Sequence, residues 1–308
     1  MDALALFAIA TLRITVPYWW AALGGFYSER SGIVNLALEG MLLHGALATV
    51  LAAHALEAAG VPGVTAAWGG VAAGALAGAA TGALHALVCV RARGDQITSG
   101  IAINLLAAGL SKLVLTLVFG SASNSVRISG MPPWNIPGLA DWSVTRTLVC
   151  TPLVLLAVMA AFATHAVVRR TRFGLRLLAV GEMPRAVAAA GVSVAWLRWR
   201  ALLLSGALAG LGGAWLALDQ HQFTAGMSGG RGFIALAALI FGKWTPRGTA
   251  LACLLFGAAE ALQIQLQAQG TGVPTQFVQM LPYVVTLVTL AGVIGRARPP
   301  AALGRAEE

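Results

Sequence analysis

Charged side chains are scarce in this sequence. Asp, Glu, Lys and Arg make up 10% of the 308 residues, 58% are hydrophobic and the mean hydropathy is +0.80. A soluble domain carries roughly a quarter charged residues, so that class is excluded. Cysteine is scarce too. Cys89, Cys150 and Cys253 form no Cys-x-x-Cys, so no metal site or redox motif is expected and packing in apolar segments suffices for them. No His-Glu-x-x-His occurs and His165 has no evident nucleophile beside it, so no catalytic residues are expected. No secretory leader is expected either. Met1-Asp2 leads straight into an apolar segment without a cleavage site, so the first helix is expected to stay.

What is present is a series of apolar runs, and a membrane crossing needs about 20 such residues. They lie near 4–26, 33–56, 63–90, 97–119, 145–168, 199–218, 231–243, 248–268 and 276–295. The seventh is too short to cross and reads as a half-helix or re-entrant segment, tolerated where protein surrounds it. The pattern predicts an all-α polytopic bundle of about 8–10 spans forming one transmembrane domain over residues 1–308. Threading the runs alternately puts most of the 20 Lys and Arg residues on one side, which marks that side as cytoplasmic, with the C-terminus inside and the N-terminus outside. The net charge of +9 therefore belongs to orientation, and nucleic acid is not expected as a partner.

Glycine is abundant, with 37 residues, and tracts such as Gly70–Gly78 and Ala207–Gly213 carry small residues at four-residue spacing, which lets membrane helices approach closely. Residues 120–144 hold Pro132, Pro133 and Pro137 and read as a long external loop. Trp19, Trp20, Trp68, Trp134 and Trp142 are placed as anchors at the lipid interface.

Polar residues inside the apolar runs point to a pathway, because a carboxylate at mid-membrane costs a few kcal/mol by insertion scales. They are Asn35, Glu39, His44, Ser99, Asn104, Ser111, Lys112, Glu260 and Gln263. Asn35 and Glu39, four apart, would share one helix face, and Glu260 and Gln263 sit one turn apart in the other half of the chain. The polar-interrupted stretches 33–45 and 231–243 fit the paired broken helices of transporter sites. Hydrogen bonds that merely join helices are the other reading of each polar residue. Asp219–Phe223, at the outer end of the sixth run, is either a landing place for a delivering protein or an ordinary solvated loop.

The extended polar segment, 169–199, reads as a cytoplasmic loop. Within it, residues 181–191 predict one short helix: Pro184 suits a first turn, the Ala-rich body is helix-forming, Gly191 suits a stop, and Glu182 would sit at the positive end. A basic loop that only fixes orientation is the alternative.

Four stretches carry a resemblance to a known family: Tyr27–Met41, Asp95–Leu106, Thr171–Gly213 and Gly230–Trp244. The chain resembles the membrane permease subunits of bacterial ATP-binding-cassette importers, in the group that includes branched-chain amino acid and ribose permeases, and most of all the nucleoside or simple-sugar branch. The resemblance implies that Gly181, Glu182, Pro184, Arg185 and Gly191 belong to a coupling helix that docks on an ATP-binding subunit. It also implies a second homologous permease subunit, an extracytoplasmic substrate-binding protein and a place in the bacterial cytoplasmic membrane, among lipid. No Gly-x-x-x-x-Gly-Lys-Ser/Thr occurs, so ATP and magnesium are expected on the partner, with no cofactor bound by this chain. Met183, where relatives often have Asn, and His44, at a usually apolar position, depart from the family pattern. A self-sufficient transporter with Glu39 or Glu260 as its proton or sodium site is the competing expectation.

Overall fold

The computed structural model describes residues 3–132, 134, 151–268, 276–277, 280, 284 and 298–305. Among them the chain is all-α, with one isolated β-bridge between Asn124 and Thr224. Seven of the described helices are long and apolar enough to cross a membrane. The chain is thus a multi-pass membrane protein. In order they are α1 (Ala3–Arg30), α2 (Leu38–Ala58), α3 (Gly63–Ala86, continued by a π turn over Leu87–Arg91), α4 (Gln96–Phe119) and α5 (Pro152–Arg170), then α8 (Val194–Gln220) and α10 (Pro246–Ala268). Between α5 and α8 lie α6 (Arg172–Glu182) and α7 (Pro184–Ala189); between α8 and α10 lies α9 (Arg231–Phe241). Most of the expected crossing at 276–295, and residues 135–150 of the external loop and fifth run, fall outside the described residues.

Local chemistry sets the ends of these elements. Asp95 caps α4 by accepting the Thr98 amide at 2.7 Å, a bond that holds its carboxyl below the usual carboxylate range. Ser193 caps α8 through the Trp196 amide. Pro17 lies inside α1 and cannot donate to the Arg13 carbonyl one turn back. The Trp215 indole of α8 donates to that carbonyl instead, at 3.2 Å. Arg13 itself pairs with Asp219 at 2.5 Å, joining α1 to α8 again.

Helix α8 is the centre of the bundle and packs on α1, α2 and α3. Its glycines make this possible. A Cβ on Gly206 would lie 2.1 Å from the Gly78 carbonyl oxygen, and one on Gly45 would lie 2.5 Å from the Gly210 Cα. The small-residue tracts of the sequence are therefore backbone contacts among α2, α3 and α8, where dispersion and shape provide the association that water cannot.

Three expectations change. Trp19 and Trp20 are buried in the core, 8% and 3% exposed, and are not anchors at the lipid interface. The second run does not form a helix from residue 33: α1 ends at Arg30, Gly32 turns the chain with φ +91°, and α2 begins only at Leu38. Hydropathy missed this break because Ile33, Val34, Leu36 and Ala37 are apolar. The predicted single helix over 181–191 is two. Glu182 closes α6, Met183 breaks the helix with φ −142°, and α7 starts at Pro184. A residue before proline is pushed out of the helical region, so Pro184 ends one helix as it begins the next. Glu182 thus sits at a helix C-terminus, the reverse of its expected place.

Candidate functional site

The break between α1 and α2 is held by groups distant in sequence. Asn35 is fully buried; its Oδ1 accepts the Ala37 amide at 3.1 Å and its Nδ2 donates to Ser205 of α8 at 2.9 Å. Asn104, reaching from α4, donates to the Leu36 carbonyl and accepts the Gly40 amide, both at 2.8 Å. It caps α2 from outside, a role usually worth about 1 kcal/mol. Ser99 bonds the His85 ring at 2.9 Å, whose other nitrogen lies 3.2 Å from the Val34 carbonyl, while Gln96 accepts the Val34 amide at 2.7 Å. The extended backbone is thereby satisfied without helix or sheet.

Glu39, in the first turn of α2, reaches across to α9. Its two oxygens accept the Gly230 amide at 2.8 Å and the Gly232 amide at 2.7 Å, so the carboxylate caps a helix that has no side-chain cap of its own. Gly232 has to be glycine: a Cβ there would lie 2.4 Å from the Glu39 backbone nitrogen. The two interrupted stretches of the sequence are therefore in direct contact. At eleven residues, α9 is about 16 Å long, half a membrane.

Next along α9, Arg231 donates to Glu260 of α10 at 3.1 Å and to the Met227 carbonyl at 3.1 Å. Glu260 also accepts from the buried Tyr18 hydroxyl of α1. At the other end of α9 the Trp244 indole donates to Glu29, and Arg30 donates to the Trp244 carbonyl at 3.0 Å. The half-helix is thus gripped at both ends by side chains of α1, α2 and α10. Gln263 is half-buried one turn beyond Glu260, and no hydrogen bond joins it to this network among the described residues. His44 bonds Thr81 at 2.9 Å and stands apart from it.

The loop elements connect to the same break. A Cβ on Gly181 would lie 2.2 Å from the Arg30 carbonyl oxygen, so the end of α6 touches the end of α1 backbone to backbone. Glu182 pairs with Arg30 at 3.5 Å. Helix α7 is anchored by Val187 against Val180, Val194 and Leu197, and it leaves Arg185, Ala186 and Ala188 exposed. Gly191 ends it with φ +77°.

Residues 7–290 match the profile of the family described as branched-chain amino acid transport system / permease component. The chain belongs to this permease family. It is 38% identical to the guanosine ABC transporter permease protein NupQ of Bacillus subtilis, over 99% of this chain and 97% of that one. Identity is also 38% to the nucleoside ABC transporter permease protein NupC of Lactococcus lactis, with the same coverage. More distantly, the glucose ABC transporter permease protein TsgB13 of Haloferax volcanii is 27% identical over 88% of this chain and 73% of its own. No solved structure matches the chain. The permease is thus a transport component.

His85, Gln96, Ser205, Tyr18 and Arg231 were not singled out as site residues from sequence. Arg231 had a signal, since it opens the short seventh run. Tyr18 and Ser205 are ordinary in apolar helices and become visible only through their partners.

Proposed function

We propose that this permease is the membrane-spanning subunit of an importer that carries a nucleoside across the cytoplasmic membrane, with its C-terminus inside. A separate ATP-binding subunit hydrolyses ATP with magnesium, a second homologous permease completes the pathway, and an extracytoplasmic binding protein delivers the substrate. The chain itself hydrolyses nothing and holds no cofactor. The observation that carries this reading is the full-length likeness to NupQ and NupC, named for guanosine and nucleoside transport.

The geometry supports a division of labour. Residues Gly181 to Gly191 take up movement from the partner, and the contact of Gly181 with Arg30 passes it to the break at 31–37. Asn35, Glu39, Ser99, Asn104 and Glu260 frame the pathway by fixing the broken segments, and Gln263 extends that frame along α10. Both carboxylates that an ion-coupled transporter would use are engaged, Glu39 as a cap and Glu260 by Arg231 and Tyr18, which favours the driven importer over a self-sufficient one.

Reconstitution tests it. The chain in liposomes with its ATP-binding, permease and binding-protein partners should accumulate labelled guanosine only when ATP is present. Accumulation by the chain alone, driven by a proton or sodium gradient, would overturn the reading.

A further inference from the structure

Helix α9 closes on the wrong residue type. The Trp244 amide donates to the Leu239 carbonyl at 3.1 Å and the Lys243 amide to the Ile240 carbonyl at 3.0 Å, a closure in which the residue at the Lys243 position turns left-handed and is usually glycine. Helices α4 and α7 follow that rule, with Gly120 at φ +68° and Gly191 at φ +77°. At α9 the glycine lies one residue early. Gly242 keeps φ −74°, and a Cβ on it would lie 2.2 Å from the Thr249 amide nitrogen of α10. The glycine thus serves close approach to α10, and the left-handed turn falls to Lys243 at φ +55° and Trp244 at φ +51°. Two consecutive left-handed residues with side chains store strain, because each Cβ crowds the carbonyl that follows it.

Trp244 is where this turn is held. Its side chain is 5% exposed and belongs to one apolar cluster with Phe26 and Tyr27 of α1 and Leu177 of α6. Its indole donates to Glu29 and its carbonyl accepts the Arg30 Nε–H at 3.0 Å, so two consecutive residues of α1 grip it at side chain and backbone. Each grip leads elsewhere. The buried Glu29 also accepts the Asn35 backbone amide inside the break, and Arg30 also pairs with Glu182 at the end of α6. Lys243 differs: it is exposed, and its side chain makes no hydrogen bond or ion pair among the described residues.

We infer that Trp244 is a positioning residue for transport: Glu29 and Arg30 hold the Lys243–Trp244 turn in its strained form, and release of Trp244 from them relaxes the turn and re-aims the half-helix α9 against α10. The stored strain biases the joint towards release, and the two α1 side chains oppose it, so a modest change at Glu182 or at the break decides which form is held. The inference rests on the proposed function for the existence of a driven cycle and adds which joint moves in it.

The test compares Lys243→Gly with Lys243→Ala in the assembled importer, reading thermal midpoint and ATP-driven uptake of labelled guanosine. Both variants lose the lysine side chain, and only glycine loses the left-handed strain. The position is exposed, so both should fold. The glycine variant should melt above the alanine variant, yet its maximal uptake rate should be about fivefold lower or worse with KM unchanged, because the strained form is no longer strained and is left less readily. The alanine variant should stay close to wild type. A raised midpoint with equal or faster uptake would overturn the inference, since the turn would then stay left-handed throughout the cycle. An unraised midpoint would overturn it by showing no strain to release, and equal loss of uptake in both variants would overturn it by placing the effect in the lysine side chain. Each of these leaves the proposed function standing, whereas absence of ATP-driven uptake in the unaltered complex would overturn that function, and the inference with it.

Discussion

Glu39 holds the amide of Gly232 at 2.7 Å, and through that bond the first turn of one interrupted helix caps the first turn of another. A carboxylate that reads from sequence as a pathway charge is therefore also the fastening between the two halves of the broken-helix pair. Its cost in an apolar setting is offset by two amides and by the positive end of α9.

Replacing Glu39 with Gln keeps the shape and removes the charge. Loss of a charged cap should destabilise the permease by about 1–2 kcal/mol. Thermal unfolding in detergent should show a lower midpoint, and nucleoside uptake by the reconstituted importer should fall in maximal rate with little change in KM. A large rise in KM at unchanged stability would make Glu39 a substrate ligand instead.

The Arg231 and Glu260 pair makes a sharper statement. Side chains of both are about one-fifth exposed, and removing one partner leaves the other charge stranded. Arg231→Met should cost about 3 kcal/mol, and the double change with Glu260→Gln should recover part of it. A double variant as unstable as the sum of both single ones would show that the two residues act separately.

Close packing of α3 on α8 leaves no room for a side chain at Gly206, where an added Cβ would lie 2.1 Å from a backbone oxygen. Gly206→Val should abolish a monodisperse elution profile. Gly109→Ala, at a helical position with open space around its Cβ, should leave the profile intact. Equal effects at the two positions would refute the packing argument.

Pro184→Ala lifts the constraint on Met183 and lets α6 run on into α7. In the assembled importer, ATP hydrolysis should continue while nucleoside carried per ATP hydrolysed falls several-fold. Parallel loss of both activities would mean that the break serves docking alone.

The helices were legible because their burial in lipid demands apolar length, so α4 at Gln96–Phe119 matches the expected 97–119 almost residue for residue. The break at 31–37 was not. Its backbone is satisfied by Gln96, His85 and Asn104, more than fifty residues away, and hydropathy carries no record of such partners. Pairing the polar-interrupted stretches was possible from sequence; seeing that Glu39 reaches α9 was not, because the acceptors are answered by backbone amides that every residue but proline owns. The helix break at Met183 was within reach, since the residue before a proline is the expected boundary.

The central claim is that exposed α7 receives the partner's movement. Ala188→Cys, placed on its exposed face, tests this in the assembled importer with a short thiol-to-amine cross-linker. The account predicts an adduct with the ATP-binding subunit whose yield changes between the ATP-bound and nucleotide-free states. Labelling of the introduced thiol by a lipid-soluble reagent, with no adduct in either state, would contradict it.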